Sequence, residues 1–128
     1  MFIEYNPNPI AARVGDCAVR ALSKALEQDW ETTFIELSVT ALQMCDMPSS
    51  NAVWGAYLRK HGFYRDVIPN ECPDCYNVDD FCAEHPTGTF VLTLKNHVVC
   101  IKDGDLYDSW NSSHEIPLYF WYRREKSA

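Results

Sequence analysis

The sequence is short of basic residues and of long hydrophobic runs. Its 11 Lys and Arg are outnumbered by 18 Asp and Glu, the net charge is −7, and residues 66–94 contain neither Lys nor Arg. Because nucleic-acid binding depends largely on cations that neutralise phosphates, this balance disfavours a nucleic-acid partner. No run approaches the ~20 apolar residues that a membrane-spanning helix needs, so we expect no membrane partner either.

A secretory signal is a second missing feature. Residues 1–14 have no basic region followed by an apolar stretch, and Pro7 and Pro9 favour an extended, irregular lead-in. Without a signal peptide, the six cysteines are expected to be free thiols or ligands rather than disulfides. We therefore expect a cytoplasmic protein, either of the producing cell or of a phage inside it.

The composition is that of a folded protein. Apolar residues make up 47% and aromatic residues 13% of the chain, and no repeat, linker or low-complexity segment divides it, which favours a single domain over residues 1–128. Helical periodicity comes first, and short segments rich in β-branched and aromatic residues follow. This order predicts an α+β fold with N-terminal helices packed on a C-terminal antiparallel sheet. The predicted helices are 17–26, 30–44, 52–61 and 78–84, and the predicted strands are 63–68, 89–94, 97–102, 105–109 and 116–122.

The stretch from His97 to Trp110 contains a hairpin signal. The dipeptide Asp103-Gly104 tolerates the positive φ values that a type I′ turn needs at both central positions. With these two residues as the loop, side-chain alternation places His97 and Asp108 on one face as diagonal neighbours, about 7–8 Å apart at the backbone. Trp110 lies on the same face, opposite His97. The hairpin therefore predicts a general base: an imidazole oriented by a carboxylate and partly covered by an indole.

Cys17 is the candidate nucleophile. It lies at the first turn of the predicted helix 17–26, where unpaired N–H groups and the helix dipole favour a negative charge. A thiol in such a position and near an imidazolium has a lowered pKa, and the thiolate is the reactive form. Gly15, two residues earlier, would allow a substrate backbone to approach closely.

The chain resembles the papain-like cysteine peptidases in three motifs and in their order. Gly15-Asp16-Cys17-Ala18 resembles the approach to the catalytic cysteine, and His97-Val98-Val99 resembles the catalytic histidine entering its strand. Asp108-Ser109-Trp110 resembles the Asn-Ser-Trp of papain, with Asp in place of Asn. The resemblance implies a papain-like fold with Cys17 as nucleophile, His97 as base and acid, and Asp108 as the residue that orients the imidazole. It also implies a thiol hydrolase that cleaves peptide or related amide bonds of a protein or peptide substrate through an acyl-thioester, without a cofactor.

The sequence departs from the papain pattern in two respects. The family carries a Gln several residues before the Cys as an oxyanion-hole donor, whereas no Gln precedes Cys17 in this chain. Asn6 and Asn8 are the upstream amides, and Asn8 is the candidate donor that we favour. The chain is also much shorter than papain and more closely resembles the compact papain-like folds of bacteria and phages, whose substrates include peptides, isopeptides and other amides.

The identity of the third catalytic residue depends on the length of the hairpin loop. A three-residue loop would shift the pairing by one residue and bring Asn111, instead of Asp108, next to His97. The sequence leaves both residues as candidates.

A cysteine-rich segment offers a different function. Two pairs, each separated by two residues, have the spacing of a zinc site; they are Cys72, Cys75, Cys82 and His85. A helix over 78–84 would instead turn Cys82 toward the core and leave His85 at the helix end, so we expect no tightly bound zinc. In this alternative function the protein is a non-catalytic binding module, in which Cys17 is inert and the acidic region 66–85, with or without zinc, meets a partner protein.

Overall fold

The computed structural model describes residues 1–68 and 75–123. Within these ranges the chain is an α+β structure of four helices and six strands. The predicted elements are confirmed to within one residue at each end, and one strand, β1, was not predicted. In chain order the elements are β1 (Phe2–Glu4), α1 (Cys17–Leu26), α2 (Trp30–Met44), α3 (Asn51–Lys60), β2 (Phe63–Val67), α4 (Val78–Glu84), β3 (Thr89–Leu94), β4 (His97–Lys102), β5 (Asp105–Asp108) and β6 (Pro117–Arg123).

The strands form one mixed sheet in the order β1-β5-β4-β3-β6-β2. Neighbouring strands are antiparallel except β1 and β5, which run parallel with Glu4 opposite Asp108. Two expectations are therefore wrong: the sheet is not purely antiparallel, and the lead-in is not wholly irregular. A strand of three residues is too short to show alternation, and the prolines that follow it dominate the local sequence signal.

The sheet lies between two apolar layers. On one face, α1, α2 and α3 bury side chains such as Leu22 and Trp54 against Val98 of β4. On the other face, α4 buries Phe81 against a cluster that includes Val99. Because neighbouring residues of β4 point into both layers, this strand is fixed from both sides. His97, at its first position, is therefore held on a rigid element beside α1.

The β4–β5 hairpin has the predicted two-residue loop. Asp103 and Gly104 have φ values of 50° and 79°, and Lys102 lies opposite Asp105. The loop length fixes the register of β5 on β4, which carries Asp108 to the end of the hairpin where His97 begins β4. Separately, no helix within the described ranges combines the length and apolar character needed to cross a membrane.

Candidate active site

Cys17 is the first residue of α1, and its thiol contacts two groups of β4. His97 contributes a side-chain hydrogen bond, and the backbone N–H of Val98 contributes another. Burial of the thiol opposes ionisation, but these hydrogen bonds, the charge of His97 and the more distant charge of Arg20 outweigh it. The net result is a Cys17 pKa below its ordinary value, so the site favours the thiolate.

The imidazole of His97 joins Cys17 to Asp108. Its Nε2 lies 2.7 Å from Oδ2 of Asp108, so Nδ1 is the nitrogen that faces Cys17. Burial of the ring works against the cation, but the hydrogen bonds with Asp108 and Cys17 and the charges of both raise the pKa of His97 to about 9. The structure thus brings the three sequence-predicted catalytic residues into one hydrogen-bonded chain, in which the directions of the pKa shifts favour a thiolate, an imidazolium and a carboxylate.

The carboxylate of Asp108 is fully buried and accepts four hydrogen bonds. Oδ2 accepts from His97 and, at 2.6 Å, from the hydroxyl of Ser112. Oδ1 accepts from Arg20 Nη2 at 3.1 Å and from the backbone N–H of Ser109 at 2.7 Å. Burial alone would raise the pKa of this carboxyl, but the bonds from His97, Ser112 and Ser109 and the charge of His97 lower it. Asp108 is therefore a fixed anion.

Arg20 is a residue of the site that the sequence analysis did not identify. Its exposed fraction is 5%, and its guanidinium bridges Asp108 to Asp16, with Nη1 2.7 Å from Oδ1 of Asp16. Charges of alternating sign therefore run from Cys17 through His97, Asp108 and Arg20 to Asp16. Asp16 and Arg20 stand four residues apart at the start of a helix, and this spacing indicates an ion pair between them. The contact with Asp108, 88 residues away, has no such sequence signal.

Trp110 covers His97 as the hairpin predicts. The two ring centroids are 4.9 Å apart with an angle of 30° between the planes, and the indole is 44% exposed. One side of the imidazole is thus screened from water by a ring that is itself at the surface. Because a lower local dielectric strengthens the His97–Asp108 hydrogen bond, this cover helps to hold the imidazole in its orientation.

A cavity of about 290 Å³ opens beside Cys17 and His97, and Asn51, the first residue of α3, is among its lining residues. The Oδ1 atom of Asn51 accepts the indole N–H of Trp54 at 3.1 Å, and its NH2 group donates to the hydroxyl of Tyr119 at 3.5 Å. Asn8 has a different position. Its Oδ1 accepts the backbone N–H groups of Ile10 and Ala12, and it does not line this cavity. Its role as an oxyanion-hole donor stays a prediction.

Asn111, the alternative candidate for the third catalytic residue, makes a different contact. Asn111 is exposed, and its Oδ1 accepts the backbone N–H of Ser113, while Asp108 is the residue bonded to His97. The two-residue loop is the reason, because it fixes the hairpin register that places Asp108, not Asn111, beside the imidazole.

The alternative zinc site is not assembled by the residues that the structure describes. Cys72 lies outside the described residues. Cys75 is disulfide-bonded, so the expectation of a free thiol or a ligand is wrong there. Burial raises the pKa of Cys82 to about 11, and His85 stacks on Phe81 with its Nδ1 bound to the Phe81 carbonyl. Both side chains thus serve the packing of α4.

Comparisons of this chain with protein-family models, with curated proteins and with solved structures gave no match. The chemistry of the site is therefore read from its geometry. A thiolate paired with an imidazolium, which a buried carboxylate orients beside an open cavity, is equipped for nucleophilic attack on a carbonyl carbon.

Proposed function

We propose that this protein is a papain-like cysteine peptidase, or a closely related thiol hydrolase, that cleaves peptide or related amide bonds of a protein or peptide substrate. The observation that carries the proposal is the unbroken contact from Cys17 through His97 to Asp108 beside an open cavity. A cysteine at a helix start, followed later by histidine and aspartate on consecutive strands, agrees with a papain-like arrangement, which we propose for the fold as well.

The proposed reaction is acyl transfer through Cys17. The thiolate adds to the carbonyl carbon of the amide, and the π electrons move to the oxygen. When the tetrahedral intermediate collapses, the C–N bond breaks and the His97 imidazolium gives its proton to the leaving amine. Water then attacks the acyl-thioester while His97 accepts its proton, the acid is released, and the thiolate re-forms. Asp108 keeps the imidazole in the orientation that both proton transfers need.

The oxyanion of the tetrahedral intermediate needs hydrogen-bond donors near Cys17. The backbone N–H of Cys17, at the start of α1, is one donor. Asn51 is our candidate for a second, because its side chain lines the cavity beside Cys17 and His97 and its NH2 group has a second N–H besides the one that it gives to Tyr119. We therefore place Asn51 ahead of Asn8 in this role.

Asn51→Ala is expected to slow hydrolysis of p-nitrophenyl acetate at Cys17 by on the order of 10²-fold, because one oxyanion donor is lost. Asn8→Ala is the matched control, an amide removed from a loop that does not line the cavity, and its rate should stay near that of the wild type. Circular dichroism first shows that each variant is folded, and the initial rates of hydrolysis of the two variants are then compared. The opposite ranking would assign the donor to Asn8.

Alkylation of Cys17 by iodoacetamide tests the proposed function without a known substrate. Because the Cys17 pKa is lowered, the alkylation rate should rise and reach its plateau at a lower pH than that of an ordinary thiol, which ionises at about pH 8.5. Hydrolysis also needs the imidazolium, and it should decline as the pH rises through about 9, the pKa of His97. Peptide mapping by mass spectrometry identifies the labelled cysteine.

Exposed Cys45 is an internal reference in the same experiment. Preferential labelling of Cys17 at pH 6 supports the thiol hydrolase. If Cys17 reacts no faster than Cys45 at pH 6 and shows no plateau, the proposal fails and the non-catalytic binding module becomes the better description.

A further inference from the structure

Asp16 occupies the N-cap position of α1, but its side chain does not cap the helix. An aspartate at this position usually accepts a backbone N–H group of the first helical turn. In the part of the chain that the structure describes, the Asp16 side chain makes no such bond. Its Oδ1 instead lies 2.7 Å from Nη1 of Arg20, and its Oδ2 accepts the indole N–H of Trp30 at 2.9 Å. The carboxylate is therefore bound to groups other than the helix start.

The direction of the Asp16 carboxylate matters because Cys17 follows Asp16 directly in the chain. A carboxylate on the N–H groups of the first turn would occupy donors that otherwise stabilise a negative charge at that point. It would also place a second negative charge beside the thiol, and a nearby like charge disfavours the charged form of a group. A capping Asp16 would thus oppose the thiolate on which the proposed function depends.

The buried guanidinium of Arg20 binds both Asp16 and Asp108. Nη1 donates to Asp16, and Nη2 donates to Oδ1 of Asp108 at 3.1 Å. The backbone N–H of Arg20 also donates to the Asp16 carbonyl at 2.8 Å. Because the guanidinium is planar and its donors form a rigid fork, its bond to Asp108 limits the direction in which it can hold Asp16.

We propose that Arg20 is a positioning residue that keeps the Asp16 carboxylate away from the start of α1 while it anchors Asp108 behind His97. One guanidinium thus serves the nucleophile through two acids. It keeps the charge of Asp16 off the N–H groups beside Cys17, and it holds the charge of Asp108 where that charge orients the imidazole. This inference rests on the proposed function of Cys17 and adds to it the residue that arranges the charges around the nucleophile.

Arg20→Met releases Asp16 and tests the inference. The released carboxylate should turn to the N–H groups of the first turn of α1, and its charge should oppose ionisation of Cys17. We expect the midpoint of the pH profile of Cys17 alkylation by iodoacetamide to rise by about one pH unit, so that the rate at pH 6 falls about tenfold. Circular dichroism first shows that the variant is folded. If it is unfolded in buffer, all variants are compared in sucrose, which favours the folded state.

A second substitution distinguishes this role from a merely structural one. In Arg20→Met/Asp16→Asn the released charge is gone, and the alkylation midpoint should return more than halfway to that of the wild type. The remaining difference reflects the loss of the Arg20 charge itself: burial of the Cys17 thiol raises its pKa, whereas His97 and the charge of Arg20 lower it. Arg20→Met/Glu31→Gln is the matched control. Glu31 is an exposed acid in the first turn of α2, and its removal should restore nothing.

Three results would overturn the inference alone. They are a midpoint in Arg20→Met equal to that of the wild type, a raised midpoint that Asp16→Asn does not restore, and a restoration by Glu31→Gln as large as that by Asp16→Asn. The profile of the wild type tests the proposed function separately. An ordinary thiol profile in the wild type would overturn the inference and the proposed function together.

Discussion

Asp108→Asn is expected to be nearly as damaging as Asp108→Ala, with a loss of turnover on the order of 10²-fold or more for either variant. The papain pattern, in which Asn stands at this position, would suggest that Asn is a mild replacement. The buried surroundings of Asp108 indicate otherwise. Both oxygens accept hydrogen bonds, and those on Oδ1 come from the Arg20 cation and the backbone N–H of Ser109.

An asparagine at position 108 has only one side-chain oxygen. The two oxygens of Asp108 accept from two groups of donors, Arg20 and Ser109 on one side and His97 and Ser112 on the other. The oxygen would face Arg20 and Ser109, because a donor NH2 group cannot face a guanidinium without leaving both unpaired. The NH2 group would then face Nε2 of His97 and turn that nitrogen into an acceptor. A neutral imidazole with this tautomer no longer supports the Cys17 thiolate, which is the reason that an Asp-to-Asn change in a Ser–His–Asp triad costs about 10⁴-fold.

The measurement is the pH dependence of Cys17 alkylation and of p-nitrophenyl acetate hydrolysis. In both Asp108 variants the alkylation curve should move toward that of an ordinary thiol, since the pKa of His97 loses the partner that raises it. Asn111→Ala is the matched control, because Asn111 is exposed and lies four residues beyond the last paired residue of β5. The alkylation curve of this variant should match that of the wild type. A shift with Asn111→Ala and none with Asp108→Ala would contradict the assignment of Asp108.

Arg20→Met is expected to lower the free energy of unfolding by about 3–5 kcal/mol. The substitution leaves the stem of the side chain and removes the cation between two buried carboxylates, those of Asp16 and Asp108, whose side chains are 5% and 0% exposed. Breaking a buried ion pair by deleting one partner is costly because the remaining charge stays desolvated. Arg20→Lys should recover only part of the loss, because an ammonium cannot bridge both acids as the planar guanidinium does.

Lys24→Met, one turn further along α1, is the matched control. Lys24 pairs with Glu27 at 3.5 Å near the surface, and such pairs contribute about 1 kcal/mol or less. Urea unfolding at constant pH compares the two variants through their midpoints and slopes. A loss for Arg20→Met no larger than that for Lys24→Met would show that the buried bridge does not stabilise the fold.

Local signals explain why much of this architecture was predictable. The helix α1 begins at Cys17 as its periodicity predicts, and Asp103-Gly104 forms the two-residue loop that sets the position of Asp108 relative to His97. Turn chemistry and periodicity act over a few residues, so they can be read from the sequence directly. The fold class and the pairing of His97 with Asp108 follow from those local features and their order, whereas the approach of Cys17 to His97 was implied by the resemblance to the papain-like peptidases.

The remaining features depend on contacts between distant segments. A charged side chain such as that of Arg20 is usually exposed, but here the two carboxylates of Asp16 and Asp108 allow it to be buried. The strand β1 exists because β5, about a hundred residues later, offers it a parallel edge. Asn51 lines the cavity beside Cys17 only because of the way α3 packs. Apart from Asp16, four residues before Arg20, nothing near these residues in the sequence indicates what they contact.

Unfolding should abolish the difference in reactivity between Cys17 and the core cysteines, because that difference depends on contacts between distant segments. In the native protein the pKa of Cys17 is lowered, while burial raises the pKa of Cys82 to about 11 and that of Cys100 to about 12. In an unfolded chain each thiol returns to the ordinary value of about 8.5. Cys17 then becomes less reactive near neutral pH, and the two core cysteines become more reactive. On folding, the labelling rate of Cys17 should therefore increase while the labelling rates of Cys82 and Cys100 decrease.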